Sequence, residues 1–276
     1  MRYLKLSFLT LITIIMISTT FVAADSLYLG ELTPKNELDV NCVLELNKDE
    51  IISDVIVIEF EDTGFSAGNN SISLSRVNME LKNQRININS KVTEIEPDQM
   101  FKDAIGYFIP ITMKFKPIDK PGTYRNNLVI RTINGEILLE KEIIFKINRW
   151  TRYDFGYNNN LQIMNSDLQN NKVTSTNPLI IKISSNTDWE LNGHLNELGQ
   201  ELLNKISINV RNERKNELKR SVLLDKSPKQ ISIGKMTVDE NNYWTILDMY
   251  LEIEEVSNIK ADLKKFPVIF NLSTTN

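Results

Sequence analysis

Few side chains in this 276-residue chain are equipped for chemistry, and they are scattered. His194, in LNGHLNE, is the sole histidine, which excludes a multi-histidine zinc site and an HExxH helix. A Ser-His-Asp relay would have to use it, yet no GxSxG elbow occurs. Glycoside hydrolysis needs only two carboxylates. Acids cluster at Glu59, Glu61 and Asp62, at Asp239 and Glu240, and at Glu252, Glu254 and Glu255. In IEFED and LEIEE the two-residue period sets the acids opposite apolar residues, as on a solvated strand face. Calcium takes carboxylate and carbonyl oxygens. EDTGFSAGNN, with Asp62, and TVDENNYW, with Asp239, would supply them, although neither has EF-hand spacing. Neither GxGxxG nor GxxxxGK[ST] is present, so no nucleotide and no cofactor is expected.

Exposed rings pack against flat sugar faces. Trp150, Tyr153, Tyr243 and Trp244 are the candidate ligand-binding residues on that ground. Trp189, in SNTDWELN, shares a face with Leu191 and is expected to be structural. Cys42 is the one cysteine, so no disulfide forms within the chain. In DVNCVLEL it shares a face with Val40, Leu44 and Leu46, which makes it a buried, structural thiol.

The elements that must position these residues are strands. Arg2 and Lys5 flank an apolar run from Leu6 to Ile17, and Val22 and Ala24 suit the positions before a cleavage site. This is the pattern of a signal peptide over residues 1–24, cut after Ala24. The protein is then secreted or held in the cell envelope, with no integral membrane segment in the mature chain. The formal net charge of -4 becomes more negative when Arg2 and Lys5 leave, which argues against nucleic acid as a partner. Short alternating segments bounded by Gly, Pro, Asn or Asp follow, such as DVIVIEF, YFIPITMKFKP and EILLEKEIIF. Asn134-Gly135 between two of them is a hairpin signal. The expected fold is all-β: two tandem immunoglobulin-like β-sandwiches, at residues 25–150 and 161–276, joined by a junction at 151–160. GHLNELGQELLNK is the one expected helix of the second half. DKPGTYRNNLVI places a type II turn at Pro121-Gly122, with Tyr124 facing the core beside Leu128.

The phrase Pro121, Gly122, Thr123, Tyr124, with Leu128 beyond it, resembles bacterial exported surface proteins with immunoglobulin-like β-sandwiches, of the WxL type or pilus-associated. SNTDWELN, from Ser185 to Asn192, is similar to a turn-then-tryptophan phrase of the same group. A WxL protein carries that tripeptide near its end, whereas WEL at Trp189 stands mid-chain. The resemblance implies a structural, adhesive or surface-assembly module without catalytic activity. Its partner would be another surface protein or cell-envelope component, or a glycan. The alternatives are a non-catalytic carbohydrate-binding protein and, behind it, a carboxylate-dependent glycoside hydrolase.

Overall fold

The computed structural model describes residues 26–47, 55–156, 168–169, 171–196, 204–211, 218–237, 244–255 and 268–275. The leader at 1–24, Asp239, Tyr243, and the helical face at Leu198, Leu202 and Leu203 lie outside the described residues. Among the described residues the chain is all-β, with helix limited to single turns at Leu74–Arg76 and Pro97–Gln99. Nor is any described helix long and apolar enough to cross a membrane. The chain divides into two compact units: residues 1–116 with 122–147, and residues 117–121 with 148–276.

The first unit contains β1 (Ser26–Leu32), β2 (Leu38–Asn47), β3 (Ile56–Phe60), β4 (Gly64–Ala67), β5 (Asn70–Ser73), β6 (Val77–Leu81), β7 (Gln84–Asn87), β8 (Val92–Ile95), β9 (Phe101–Lys102), β10 (Gly106–Phe115), β11 (Gly122–Thr132) and β12 (Ile137–Ile147). One sheet runs β1-β12-β11-β3-β8, with β4 on β11 and β5 on β4. The other runs β2-β10-β6-β7, with β9 on β10. A single apolar cluster draws on both, taking Ile58, Phe60 and Leu128 from the larger sheet and Leu44, Ile111 and Met113 from the smaller. At its centre Tyr124 stacks on Phe145 at 5.4 Å, and Phe145 meets Phe115 edge-on at 4.9 Å. Such ring pairs add to the area they bury.

Asn134-Gly135 forms the hairpin that its sequence predicts, linking β11 to β12. Gly135 takes a φ of 93° and donates its N–H to the Thr132 carbonyl at 2.9 Å. Pro121-Gly122 differs from expectation. Gly122 has a φ of 159°, which is extended, and opens β11 opposite Ile147. The chain turns instead at Pro117 and Ile118. What Gly122 provides is room, since a Cβ there would lie 2.9 Å from that of Ala67 on β4. β1 adds to β12 in parallel, from Ser26 opposite Glu142 to Leu32 opposite Ile147. The N-terminal strand therefore covers an edge that the antiparallel hairpins leave open.

The second unit contains β13 (Thr151–Phe155), β14 (Leu168–Gln169), β15 (Lys172–Thr174), β16 (Leu179–Ser185), β17 (Trp189–Leu195), β18 (Ile206–Arg211), β19 (Leu218–Leu223), β20 (Lys229–Gly234), β21 (Thr245–Glu254) and β22 (Val268–Thr274). Its larger sheet runs β13-β16-β21-β15-β14, with β18 on β21 and β19 on β18; the smaller runs β20-β17-β22. Both feed a core that includes Ile181, Ile183, Trp189, Leu191, Ile208 and Met249. Residues 151–155, expected as a junction, are strand β13, antiparallel to β16. Gly193 to Leu195, expected to open a helix, instead complete β17 opposite β22, with Leu195 buried. Their alternation with Leu191 continues the strand period and seats Leu195 on the core side. In β21 the alternation holds as predicted: Leu247, Met249 and Leu251 are buried, and Trp244, Ile246, Asp248 and Tyr250 are half-buried.

Candidate functional site

Period-2 alternation along β13 sorts its aromatics into two places. Trp150, just before the strand, and Arg152 face one way; Tyr153 and Phe155 share the other face, the first exposed and the second half-buried. Trp150 is only 3% exposed, its backbone N–H donating to the Asn186 side-chain oxygen at 3.0 Å. The Arg152 guanidinium lies 5.8 Å from the Trp150 ring and 4.7 Å from the half-buried ring of Trp244. Trp150 and Trp244 are thus brought together, but around a protein cation. A guanidinium between two rings satisfies their π-faces within the chain.

Tyr153 belongs to a different feature. It is 47% exposed and meets Phe155 edge-on at 5.3 Å, while Phe155 reaches Phe270 of β22 at 6.2 Å. Phe155, Val268, Phe270 and Leu272 are only partly buried where they pack on the second core. Among the described residues β13 pairs with β16 alone, and β22 with β17 alone. The two sheets therefore end side by side in unpaired edges, with half-covered apolar side chains between them. In the first unit the corresponding exposure is relieved by β1 on β12. Among the described residues no strand does this for β13 and β22. Nothing in the local sequence of TRYDF or VIFNLST marks them as edges; only the pairing of distant segments does.

The candidate calcium loop is held by amides. Asn126, 4% exposed, donates from Nδ2 to the carbonyls of Asp62 at 3.1 Å and Gly64 at 3.0 Å. Its Oδ1 accepts from the Asp62 N–H at 3.2 Å. Asn127 donates to the Glu61 carboxylate at 2.5 Å, and Lys91 lies 3.9 Å from the exposed Asp62 carboxylate. Among the described residues no three His, Cys, Asp or Glu side chains are placed to hold a metal ion together.

The other chemical candidates are engaged structurally. Glu252 binds Lys172 at 2.5 Å, the Asn209 amide at 2.9 Å and the Ser207 hydroxyl at 3.4 Å. The Glu252 hydrogen bond in turn raises the pKa of the Lys172 ammonium. Glu252 is thus tied into the β18–β21 ladder by side-chain bonds. Glu59 pairs with Arg131 at 3.1 Å. His194 sits in β17, and among the described residues its Nδ1 has no hydrogen-bond partner. Trp189 is 1% exposed, and Tyr124 likewise.

Cys42 is half-buried rather than enclosed, because β2 is an edge strand. Burial pushes its thiol up to about 11. The thiolate is the reactive form, so at pH 8 the folded protein should be alkylated by iodoacetamide about 100-fold more slowly than the urea-unfolded chain. The rate should climb toward pH 11. The folded state holds the proton more tightly, so this contribution to stability is complete below about pH 9 and is lost as pH rises through the folded value of about 11. A folded-state alkylation rate that is flat between pH 8 and 11 would contradict this.

No family model matches the chain, and no curated protein does. Some solved structures match the chain at low TM-score. One is the CsuC-CsuE chaperone–tip adhesion subunit pre-assembly complex from the archaic chaperone-usher Csu pili of Acinetobacter baumannii, at 10% identity and TM-score 0.41 over 90% of this chain and 98% of that one. Another is the CupB6 tip adhesin of Pseudomonas aeruginosa, at 11% identity and TM-score 0.30 over 86% and 85%. A family 123 glycoside hydrolase from Clostridium perfringens matches at 17% identity and TM-score 0.30, over 45% of this chain and 23% of that one. Adhesins and a hydrolase stand together at these scores, so the likenesses do not decide what this chain does.

Proposed function

We propose that this chain is an exported, non-catalytic surface-assembly or adhesive module of two immunoglobulin-like β-sandwich domains, and that it joins a second envelope protein by strand addition. The observation that carries this reading is the half-covered apolar seam between β13 and β22, with Tyr153, Phe155 and Phe270 along it. An incoming extended segment would pair with an open edge and cover those side chains with alternate residues of its own. A leader over residues 1–24 fits a partner met outside the cytoplasm. The engagement of Glu252 by Lys172, Asn209 and Ser207 weighs against the hydrolase alternative.

The test is a titration of the mature chain with a panel of synthetic peptides of about ten residues, alternating valine or leucine with threonine. Ligands that bind only the folded state raise its Tm. At least one peptide should raise Tm saturably, and Tyr153→Glu should abolish the rise while leaving the free protein folded. No rise with any peptide, or a rise unaffected by Tyr153→Glu, would remove the seam as an assembly site.

A further inference from the structure

On the first unit, the outer face of the β2-β10-β6-β7 sheet carries a depression of about 280 Å³. Its cause is a gap in strand pairing. β10 pairs with β6 at Ile111 to Met113 and with β9 at Tyr107 and Phe108. Pro110 falls between these two stretches, and proline has no N–H to offer a ladder. Between Phe108 and Ile111 this side of β10 therefore has no ladder partner among the described residues, and Asn41, Cys42, Val43, Glu80, Pro110 and Thr112 surround the opening with Ile111.

The polar groups there are oriented. Thr112, 8% exposed, donates its hydroxyl to the Asn41 Oδ1 at 2.8 Å. That bond commits the Thr112 proton and the Asn41 oxygen to each other. It leaves the Asn41 Nδ2 free to donate and the Thr112 oxygen free to accept. Glu80 is exposed and makes no hydrogen bond or ion pair among the described residues, including with Arg85, its register partner on β7. Its two oxygens are acceptors. Val43, 48% exposed, and Pro110 face each other across β2 and β10 and supply an aliphatic strip beside these groups.

We propose that this depression binds a single sugar residue, neutral or amino-substituted, at the end of a glycan. A pyranose presents what the site lacks: adjacent hydroxyls that donate and accept at once, and a C–H face for Val43 and Pro110. The volume lies just below the roughly 300–1,000 Å³ of pockets that take drug-sized ligands, so it accommodates one ring and not a chain. Glu80 is the one charged side chain lining it among the described residues, and its carboxylate repels an acidic sugar. This site is independent of the seam at β13 and β22, and either can fail without the other.

The experiment is a glycan array probed with the mature chain, followed by calorimetry with the methyl glycoside of any terminal sugar that binds. Neutral or amino-sugar termini should bind and sialylated termini should not. Glu80→Gln and Thr112→Val should each weaken binding about tenfold or more, since each removes a hydrogen bond or its charge assistance. Both are near-isosteric and should leave the far-UV spectrum and Tm within a few degrees of the parent. Trp244→Ala should leave affinity unchanged. Absence of binding to every neutral and amino sugar overturns the proposal, as does preference for sialylated termini. Binding that survives Glu80→Gln and Thr112→Val but is lost in Trp244→Ala overturns it in favour of the aromatic site on the second unit.

Discussion

Gly234→Ala should destabilise the second unit by about 3 kcal/mol, the upper end of what overpacking a core costs. Gly234 ends β20 directly opposite Trp189 of β17, and the indole occupies the space a side chain there would need. A Cβ at this position would stand 2.2 Å from Trp189 Cζ2, 2.3 Å from Cε2 and 2.7 Å from Nε1. No ordinary contact is that short, and the ring cannot retreat, being 1% exposed within the core. The φ of Gly234 is not positive, so the effect is steric and not conformational. A double-mutant cycle separates the two explanations. Phenylalanine at 189 lacks the fused ring that the new methyl strikes, so Gly234→Ala in a Trp189→Phe background should cost at least about 1 kcal/mol less than in the parent. Urea denaturation followed by far-UV circular dichroism measures all four proteins. Equal costs in both backgrounds would place the strain elsewhere than at the indole.

The contrast between Trp189 and Gly234 shows what a linear sequence can hold. That Trp189 is a core residue follows from its alternation with Leu191, a property of neighbours. That it rests on Gly234, 45 positions away, follows from the register of β17 against β20, which no local pattern encodes. The same division runs through the candidate sites. The faces of β21 and the hairpin at Asn134-Gly135 were legible because period and turn chemistry are local. The seam was not, because an edge is defined by which distant strands pair with it, and among the described residues none pairs with the outer side of β13 or β22. Neither was the depression at Pro110, which depends on where β6 stops pairing and β9 begins. Trp150 and Tyr153 looked equivalent as aromatic candidates; one is buried against Asn186 and the other is exposed at the sheet edge. Asn126 and Asn127 are adjacent and identical in type, yet the first is a buried clamp on the Asp62 loop and the second faces out to Glu61. Polar residues on a core face are the hardest to place from sequence, since their burial depends on partners that tertiary structure supplies.

Asn186 is the second unit's counterpart of Asn126, and its replacement should have the other large effect. Its Oδ1 accepts the Trp150 N–H at 3.0 Å, and its Nδ2 donates to the carbonyls of Asp119 and Asn148, each at 3.1 Å. It is 1% exposed, so these three backbone groups have little water to turn to if it is lost. One side chain thereby fastens the 117–121 loop and the start of the 148–155 segment to the end of β16, where Ser185 also donates to the Trp150 carbonyl at 3.1 Å. Truncation strands buried donors and acceptors, and Asn186→Ala should cost about 3 kcal/mol or more. Asn186→Asp is the sharper test because it keeps the shape. A carboxylate can still accept from the Trp150 N–H, but it cannot donate, and it sets a negative charge against two carbonyl oxygens out of reach of solvent. Burial and those carbonyls disfavour the charged form, so the folded-state pKa of the new acid should lie above its unfolded value. The sign follows: relative to the parent, the variant is weakest at neutral pH and recovers as pH falls through that raised value, because the protonated acid can donate one of the lost bonds. All three tryptophans, Trp150, Trp189 and Trp244, lie in the second unit, so their fluorescence follows this transition without interference from the first. Urea midpoints by fluorescence at pH 7.5 and pH 4.5, each compared with the parent at the same pH, should show a smaller deficit for Asn186→Asp at the lower pH and an unchanged deficit for Asn186→Ala. A deficit for Asn186→Asp that grows on acidification would mean that the charged form is the better tolerated, and that Nδ2 is not what holds the two carbonyls.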